Sequence, residues 1–327
     1  MDYVKSLNDY EQQVRLLNNK QLKWLSYITC IIMFCATFGG MVVTKTDSGM
    51  GCGQEWPLCH GKFIPAYTIS SMIEYSHRAV SGMAGLAALA SLIAFWKYKR
   101  DRKDLMAYVG MTSVFVVVQA IMGALAVVQP QSAAVMALHF GFSLIAFASS
   151  VMLALAMRRV EQSKVPMAEE RLAPVSRSFS WLVWGTTIYS YIVVYIGAFV
   201  SHTDSREGCS GWPLCNGQVI PDDLSGGVGI AFMHRAAALL LLIVVAIMGH
   251  FAYWRNQDNR EIQMLGVSAT LLCLLQVLSG AVIMMTIHNE DVYVFSALGH
   301  TLLIAALFGV LCYLSVRVWQ LSRPQKP

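Results

Sequence analysis

Polar and charged positions in this chain are bunched into a few short stretches, and between them run eight apolar segments. Each is long enough to cross a hydrocarbon core, which takes roughly 20 helical residues. The segments are 24–44, 71–96, 105–128, 133–157, 178–200, 228–254, 262–287 and 293–316. The pattern predicts an all-α integral membrane protein with eight transmembrane helices. The first segment follows a polar stretch, Met1 to Lys23, and lacks a small-residue cleavage site, so it reads as a retained helix and not as a signal peptide. The polar stretch itself is expected to lie on the membrane surface as a short amphipathic helix.

Composition agrees: 56% of residues are hydrophobic, 13% are charged, and the mean hydropathy is +0.53, far beyond what a soluble core needs. Of the 24 Lys and Arg, 19 fall on one side: the N-terminus, Lys97 to Lys103, Arg158 to Arg177, Arg255 with Arg260, and the tail. The opposite loops hold only Lys45, Lys62 and Arg206. Cytoplasmic loops carry the basic excess, so both termini are expected in the cytoplasm and the sparsely basic loops outside. Basic loops beside anionic lipid account for the net charge of +5 without a nucleic-acid partner.

The outer loops repeat. Thr46-Asp47-Ser48, Cys52, Trp56-Pro57-Leu58-Cys59, Gly61 and Ile64-Pro65 recur as Thr203-Asp204-Ser205, Cys209, Trp212-Pro213-Leu214-Cys215, Gly217 and Ile220-Pro221. The correspondence continues into the helices, pairing His77-Arg78 with His234-Arg235, Gln119 with Gln276, Gly123 with Gly280 and His139 with His300. Each copy has an even number of spans, so both enter the membrane from the same side. This predicts two tandem four-helix bundles, 24–157 and 178–316, related by a pseudo-two-fold axis along the membrane normal. Residues 158–177 form the cytoplasmic linker, 1–23 the cytoplasmic N-terminal segment and 317–327 the cytoplasmic tail.

His77, His139, His234 and His300 all lie six or seven residues in from the outer helix ends, roughly 9 to 10 Å deep at helical rise. An ionisable side chain at that depth is costly without a partner. Two imidazoles facing each other across a bundle hold a haem iron from both sides, and the repeated pairs point to a haem in each half. Zinc and copper fit less well, because neither half offers a compact third ligand. Arg78 and Arg235 follow a proposed ligand directly; they read either as partners of haem propionates or as side chains reaching the headgroups. His60, His202, His250 and His288 receive no role.

Four of the eight cysteines are in helices and read as apolar filler; the other four form two local pairs in the outer loops. Disulfides Cys52–Cys59 and Cys209–Cys215 are expected outside the cytoplasm. A redox-active or metal-capturing role for Cys52 and Cys59 stays open. Covalent c-type haem is excluded, since position 56 is Trp where a second Cys would be needed.

The copies differ at Glu74, three residues before His77 and on its face of the helix; the corresponding residue is Ala231. A carboxylate at one site alone suggests chemistry there. The same residues, Ser71-Met72-Ile73-Glu74, also fit a capping box at a helix start, and the pattern does not choose between the two.

Taken together, Gly-Cys-Gly with Trp56-Pro57-Leu58-Cys59-His60-Gly61, Glu74-Tyr75-Ser76-His77-Arg78, Ala137-Leu138-His139-Phe140, Met233-His234-Arg235-Ala236 and Leu298-Gly299-His300 resemble the haem A synthases, in the bacterial eight-helix form with paired loop cysteines. The resemblance covers nearly the whole chain apart from the N-terminal extension. It implies an oxidoreductase of the bacterial cell membrane. Such an enzyme oxidises the C8 methyl of haem O to a formyl by successive water-derived hydroxylations, giving haem A for terminal oxidases. It further implies that His77 and His139 take substrate haem O beside a catalytic Glu74, while His234 and His300 hold haem b. The haem sites would lie toward the outer face. Implied partners are haem O synthase and an electron acceptor of unspecified identity; a homo-oligomer stays open. The alternative is a di-haem b membrane cytochrome passing electrons between quinol and a partner, for which Glu74 would be dispensable.

Overall fold

The computed structural model describes residues 2–63, 67–128, 132–162 and 174–323. Its helices are α1 (Asp2–Lys45), α2 (Ile69–Lys99), α3 (Lys103–Val128), α4 (Ala133–Gln162), α5 (Arg177–His202), α6 (Gly226–Arg255), α7 (Arg260–Thr286) and α8 (Glu290–Leu321), with one 3-10 turn at Ser205–Glu207. All eight are long and apolar enough to span a membrane. The protein is an all-helical integral membrane protein with eight spans.

The helices outrun the apolar segments. Helix α4 continues from Met157 to Gln162 and α8 from Val316 to Leu321, because a helix persists into the polar interface where its side chains find partners. Arg317 is one such residue: its guanidinium donates to Glu261 at the start of α7, with Nη2 3.0 Å from Oε2. Helix α1 departs most from expectation. It runs unbroken from Asp2, so the N-terminal residues extend the first spanning helix and do not form a separate surface helix. Part of the interhelical stretch 158–177, including Pro166, lies outside the described residues, as do Ile64-Pro65 and the end of the tail.

Neighbour relations follow chain order. Helix α1 packs on α2 and α4, and α3 on α2 and α4; α5 packs on α6 and α8, and α7 on α6 and α8. The first four helices meet the last four where α4 touches α5 and α8, and where α1 touches α8. Burial matches this: half of the most apolar stretch of α4 is buried, against 11% for α3, so α4 is central and α3 faces lipid. The main apolar core joins Met41, Leu144 and Ala148 to Val183, Val193, Leu241, Leu307 and Leu311. Small polar groups tie the same seam. The Thr187 and Ser315 hydroxyls are 2.7 Å apart, and Arg159 of α4 reaches both Glu261 and the Tyr313 hydroxyl. Within a membrane such groups face protein because lipid offers them no partner.

Candidate functional site

The disulfide loops shape one end of the site. Both disulfides form, Cys52–Cys59 and Cys209–Cys215. The backbone repeats with them: Asp47 and Asp204, His60 and Asn216, and Gly61 and Gly217 all take positive φ, and the Trp56-Pro57 and Trp212-Pro213 bonds are cis. At φ +72° and +79°, Gly61 and Gly217 stand where a side chain would be strained. His60 Nε2 lies 3.2 Å from the Gly51 carbonyl, and Asn216 Nδ2 donates to the Gly208 carbonyl at 3.2 Å, so both residues serve their own loops.

Each loop is clamped by the arginine after a histidine. Arg78 Nη1 donates to the Glu55 and Leu58 carbonyls, both at 2.7 Å. Arg235 donates to the Leu214 carbonyl at 2.8 Å and the Cys209 carbonyl at 2.9 Å. The clamps differ in charge. Arg78 also pairs with Glu74, its Nε 3.1 Å from Oε1 and Nη2 closer still, whereas Arg235 has no carboxylate partner among the described residues.

Glu74 is buried at 4% exposure, and its Oε2 accepts the Cys52 N–H at 2.7 Å. The capping-box alternative does not survive. Helix α2 begins at Ile69, two residues earlier than the pattern suggested; its cap is Thr68, whose hydroxyl accepts the Ser71 N–H at 3.2 Å. Glu74 therefore sits more than a turn inside the helix, where the backbone donors of a helix start are already paired.

Below the loops lies one cavity of about 1190 Å³, which reaches all four predicted histidines, Glu74, Arg78 and Arg235. Pockets for single small molecules span about 300–1,000 Å³, so this one has room for a large ligand or more than one. His77 is within electrostatic range of His139, and His234 of His300, which brings together the predicted pairs.

Each ring also faces a glycine on a neighbouring helix. A Cβ at Gly40 would stand 3.2 Å from His77 Cε1, and one at Gly197 would stand 2.7 Å from His234 Cε1. At Gly123 and Gly280 it would stand 3.6 and 3.7 Å from Cε1 of His139 and His300. Glycine at these four places leaves room for imidazole rings between helices. Gly40 and Gly197 were not singled out from the sequence, although the repeat offset that relates the other pairs relates them too.

The rings suit iron ligation. His139 and His234 have buried Nδ1 atoms without hydrogen-bond partners among the described residues; His77 Nδ1 makes no bond of good geometry, although the Ala36 carbonyl lies beside the ring. His300 is held differently. The Ser279 hydroxyl lies 2.8 Å from the Gln276 carbonyl and 2.7 Å from His300 Nδ1. His300 Nε2 lies 3.0 Å from the Gln276 side-chain amide. A polar partner at Nδ1 orients the ring, as partners of ligating imidazoles ordinarily do. Gln119, the counterpart of Gln276, instead donates to the His139 carbonyl at 2.8 Å, and the counterpart of Ser279 is Met122.

Besides Arg78 and Arg235, the cavity is lined by the cations Lys45 and Arg206. Lys45 Nζ donates to Ser201 Oγ at 2.7 Å, and the Arg206 guanidinium stands 5.0 Å from the centre of the Tyr293 ring. A hydrogen bond to Tyr293 is the main cause holding Arg206 above its already high ordinary pKa.

Comparison with known proteins gives the family. Residues 65–312 match the model of COX15-CtaA, described as cytochrome oxidase assembly protein. Heme A synthase of Bacillus pumilus is 38% identical over 297 residues, covering 89% of this chain and 93% of that protein. Heme A synthase of Symbiobacterium thermophilum is 37% identical over 295 residues, covering 90% and 94%. Heme A synthase of Bacillus licheniformis is 38% identical over 307 residues, covering 93% and 98%. With matches of this extent along the cavity-forming helices, the chain belongs to the COX15-CtaA family of cytochrome oxidase assembly proteins.

Proposed function

We infer that the chain is an oxidoreductase that converts haem O to haem A, as a haem A synthase does. The observation that carries this reading is a large cavity lined by four histidines, each ring backed by a helix glycine. Turning a methyl into a formyl takes in one oxygen from water and releases four electrons and four protons. The substrate haem therefore needs a firm seat, a place for protons and a route for electrons.

The chain divides into two four-helix bundles, 24–157 and 178–316, about a pseudo-two-fold axis along the membrane normal, with 158–177 as the linker. The repeat offset and the parallel packing orders of α1–α4 and α5–α8 support this division. The basic excess supports a cytoplasmic location for residues 1–23, the linker and the tail 317–327, and an outer location for the disulfide loops and both haem sites.

In this reading His77 and His139 seat haem O, and His234 and His300 seat a resident haem b. A bound haem iron supplies one-electron redox chemistry; the remainder falls to side chains. Glu74 is the catalytic residue: it lines the cavity beside His77 and has no counterpart in the second half, where buried Ala231 occupies its place. The Cys52 N–H and Arg78 hold its carboxylate in place, so that it stabilises positive character at the reacting methyl and accepts a proton from the attacking water. Arg78 and Arg235 line the same cavity toward the propionates while clamping their loops. Haem O synthase supplies the substrate, and the electrons leave by way of the second half to an external acceptor.

The test is to produce the full chain together with haem O synthase, extract its haems and identify them by chromatography and mass. Haem A and hydroxylated haem O alongside haem b are expected. Haem b alone in both halves overturns the reading in favour of an electron-transfer cytochrome.

A further inference from the structure

Lys45 ends α1, a helix of the first bundle, yet it is anchored in the second. Its Nζ donates to Ser201 Oγ near the end of α5, and it lies within electrostatic range of His300. The crossing is reciprocal. His202 holds the repeat position of Lys45 on α5 and lies within electrostatic range of His139, in the first bundle. The ends of α1 and α5 thus each come within electrostatic range of a histidine of the other bundle.

The charges there are not balanced. Lys45 and Arg206 both line the cavity and act on each other as like charges. Arg206 has the carboxylates of Asp204 and Glu207 nearby, as well as Tyr293. Lys45 has His202 and Ser201 and makes no ion pair among the described residues. A half-buried cation beside a second, exposed cation at an apolar cavity is stabilised by an anion from the ligand.

We propose that Lys45, with Arg206 beside it, is the seat of a haem propionate carboxylate at the His234–His300 site, so that the first bundle completes the haem site of the second. This rests on the reading of that pair as a haem site. It separates the two seats by chemistry: the His234–His300 haem is met by a lysine on the neighbouring bundle, whereas the His77–His139 haem meets an imidazole, His202, at that position. A site that retains its haem and one that must exchange substrate for product need this difference.

The experiment uses full-length protein made under haem limitation, placed in phosphatidylcholine nanodiscs and titrated with haem b or with haem b dimethyl ester, following the Soret band. A charge-assisted hydrogen bond corresponds to roughly tenfold or more in affinity, so the wild type is expected to bind haem b about tenfold more tightly than the diester. Lys45→Met should reduce that preference to less than about threefold and speed haem loss to apomyoglobin roughly tenfold, with Lys45→Arg restoring both. Unchanged preference in a folded Lys45→Met protein, or failure of Lys45→Arg to restore it, overturns the proposal. So does a Lys45 effect that appears only in phosphatidylglycerol nanodiscs, which assigns the lysine to a lipid headgroup. His300→Ala is the separate control: if it leaves haem b binding intact, the reading of that pair as a haem site fails instead.

Discussion

The first four helices and the last four place corresponding histidines under similar disulfide loops and surround them differently. Around His77 and His139 stand Glu74, an arginine neutralised by it, and the apolar Met122. Around His234 and His300 stand Ala231, an arginine without a carboxylate among the described residues, Ser279 in contact with a ring nitrogen, and Lys45 arriving from α1. On the proposed function, the repeated scaffold would set where a haem sits and the residues that were not repeated would set what happens to it. Ser279 and, from α1, Lys45 stand by the His234–His300 pair, and the buried carboxylate of Glu74 stands by His77.

That contrast can be broken at four points, in falling order of effect. Glu74→Gln keeps an acceptor for the Cys52 N–H and removes the charge. Haem A formation in cells should fall about a hundredfold or more, the scale of a lost acid/base group, with haem content unchanged by pyridine haemochrome assay; Ala231→Glu should not restore it. Gly197→Ala puts a Cβ 2.7 Å from His234 Cε1, so the second-bundle haem should be largely lost from the absorption spectrum. Gly40→Ala, at 3.2 Å from His77, should weaken the first site less.

Ser279→Ala removes the hydroxyl in contact with His300 Nδ1 and frees the ring to rotate. Loss of an orienting partner costs about 10- to 100-fold in metal affinity, so haem b dissociation measured with apomyoglobin should quicken by about tenfold, with Ser279→Thr near wild type and Met122→Ala without effect. Cys209→Ser with Cys215→Ser opens a ring of sequence separation 6. Thermal denaturation should show a loss of about 2 to 3 kcal/mol at most, with haem retained.

Much of this contrast is legible in one dimension. Eight helices follow from apolar run length, and the histidine pairs, loop disulfides and Glu74–Ala231 difference follow from aligning the chain with itself. What is not legible depends on which helix faces which. Gly40 and Gly197 are ordinary small residues until α1 and α5 are packed on His77 and His234. Ser279 is one more hydroxyl in an apolar helix until its 2.7 Å contact with His300 is seen. Lys45 reads as a helix-end lysine until α1 is found to reach the other bundle. The capping-box pattern at Ser71–Glu74 fails for a related reason: a helix start is fixed by which hydroxyl meets the first free N–H groups, and Thr68 lies earlier in the chain. Helix α1 outruns its apolar segment because polar residues continue a helix as readily as they leave one.

The division of labour between the bundles is tested most directly by the haems extracted from His77→Ala and His300→Ala proteins made together with haem O synthase. The account predicts that His77→Ala retains haem b and yields neither haem O nor haem A, while His300→Ala loses haem b and still binds haem O. The opposite result, with His77→Ala losing haem b and His300→Ala keeping it, would contradict the assignment of substrate to the first bundle.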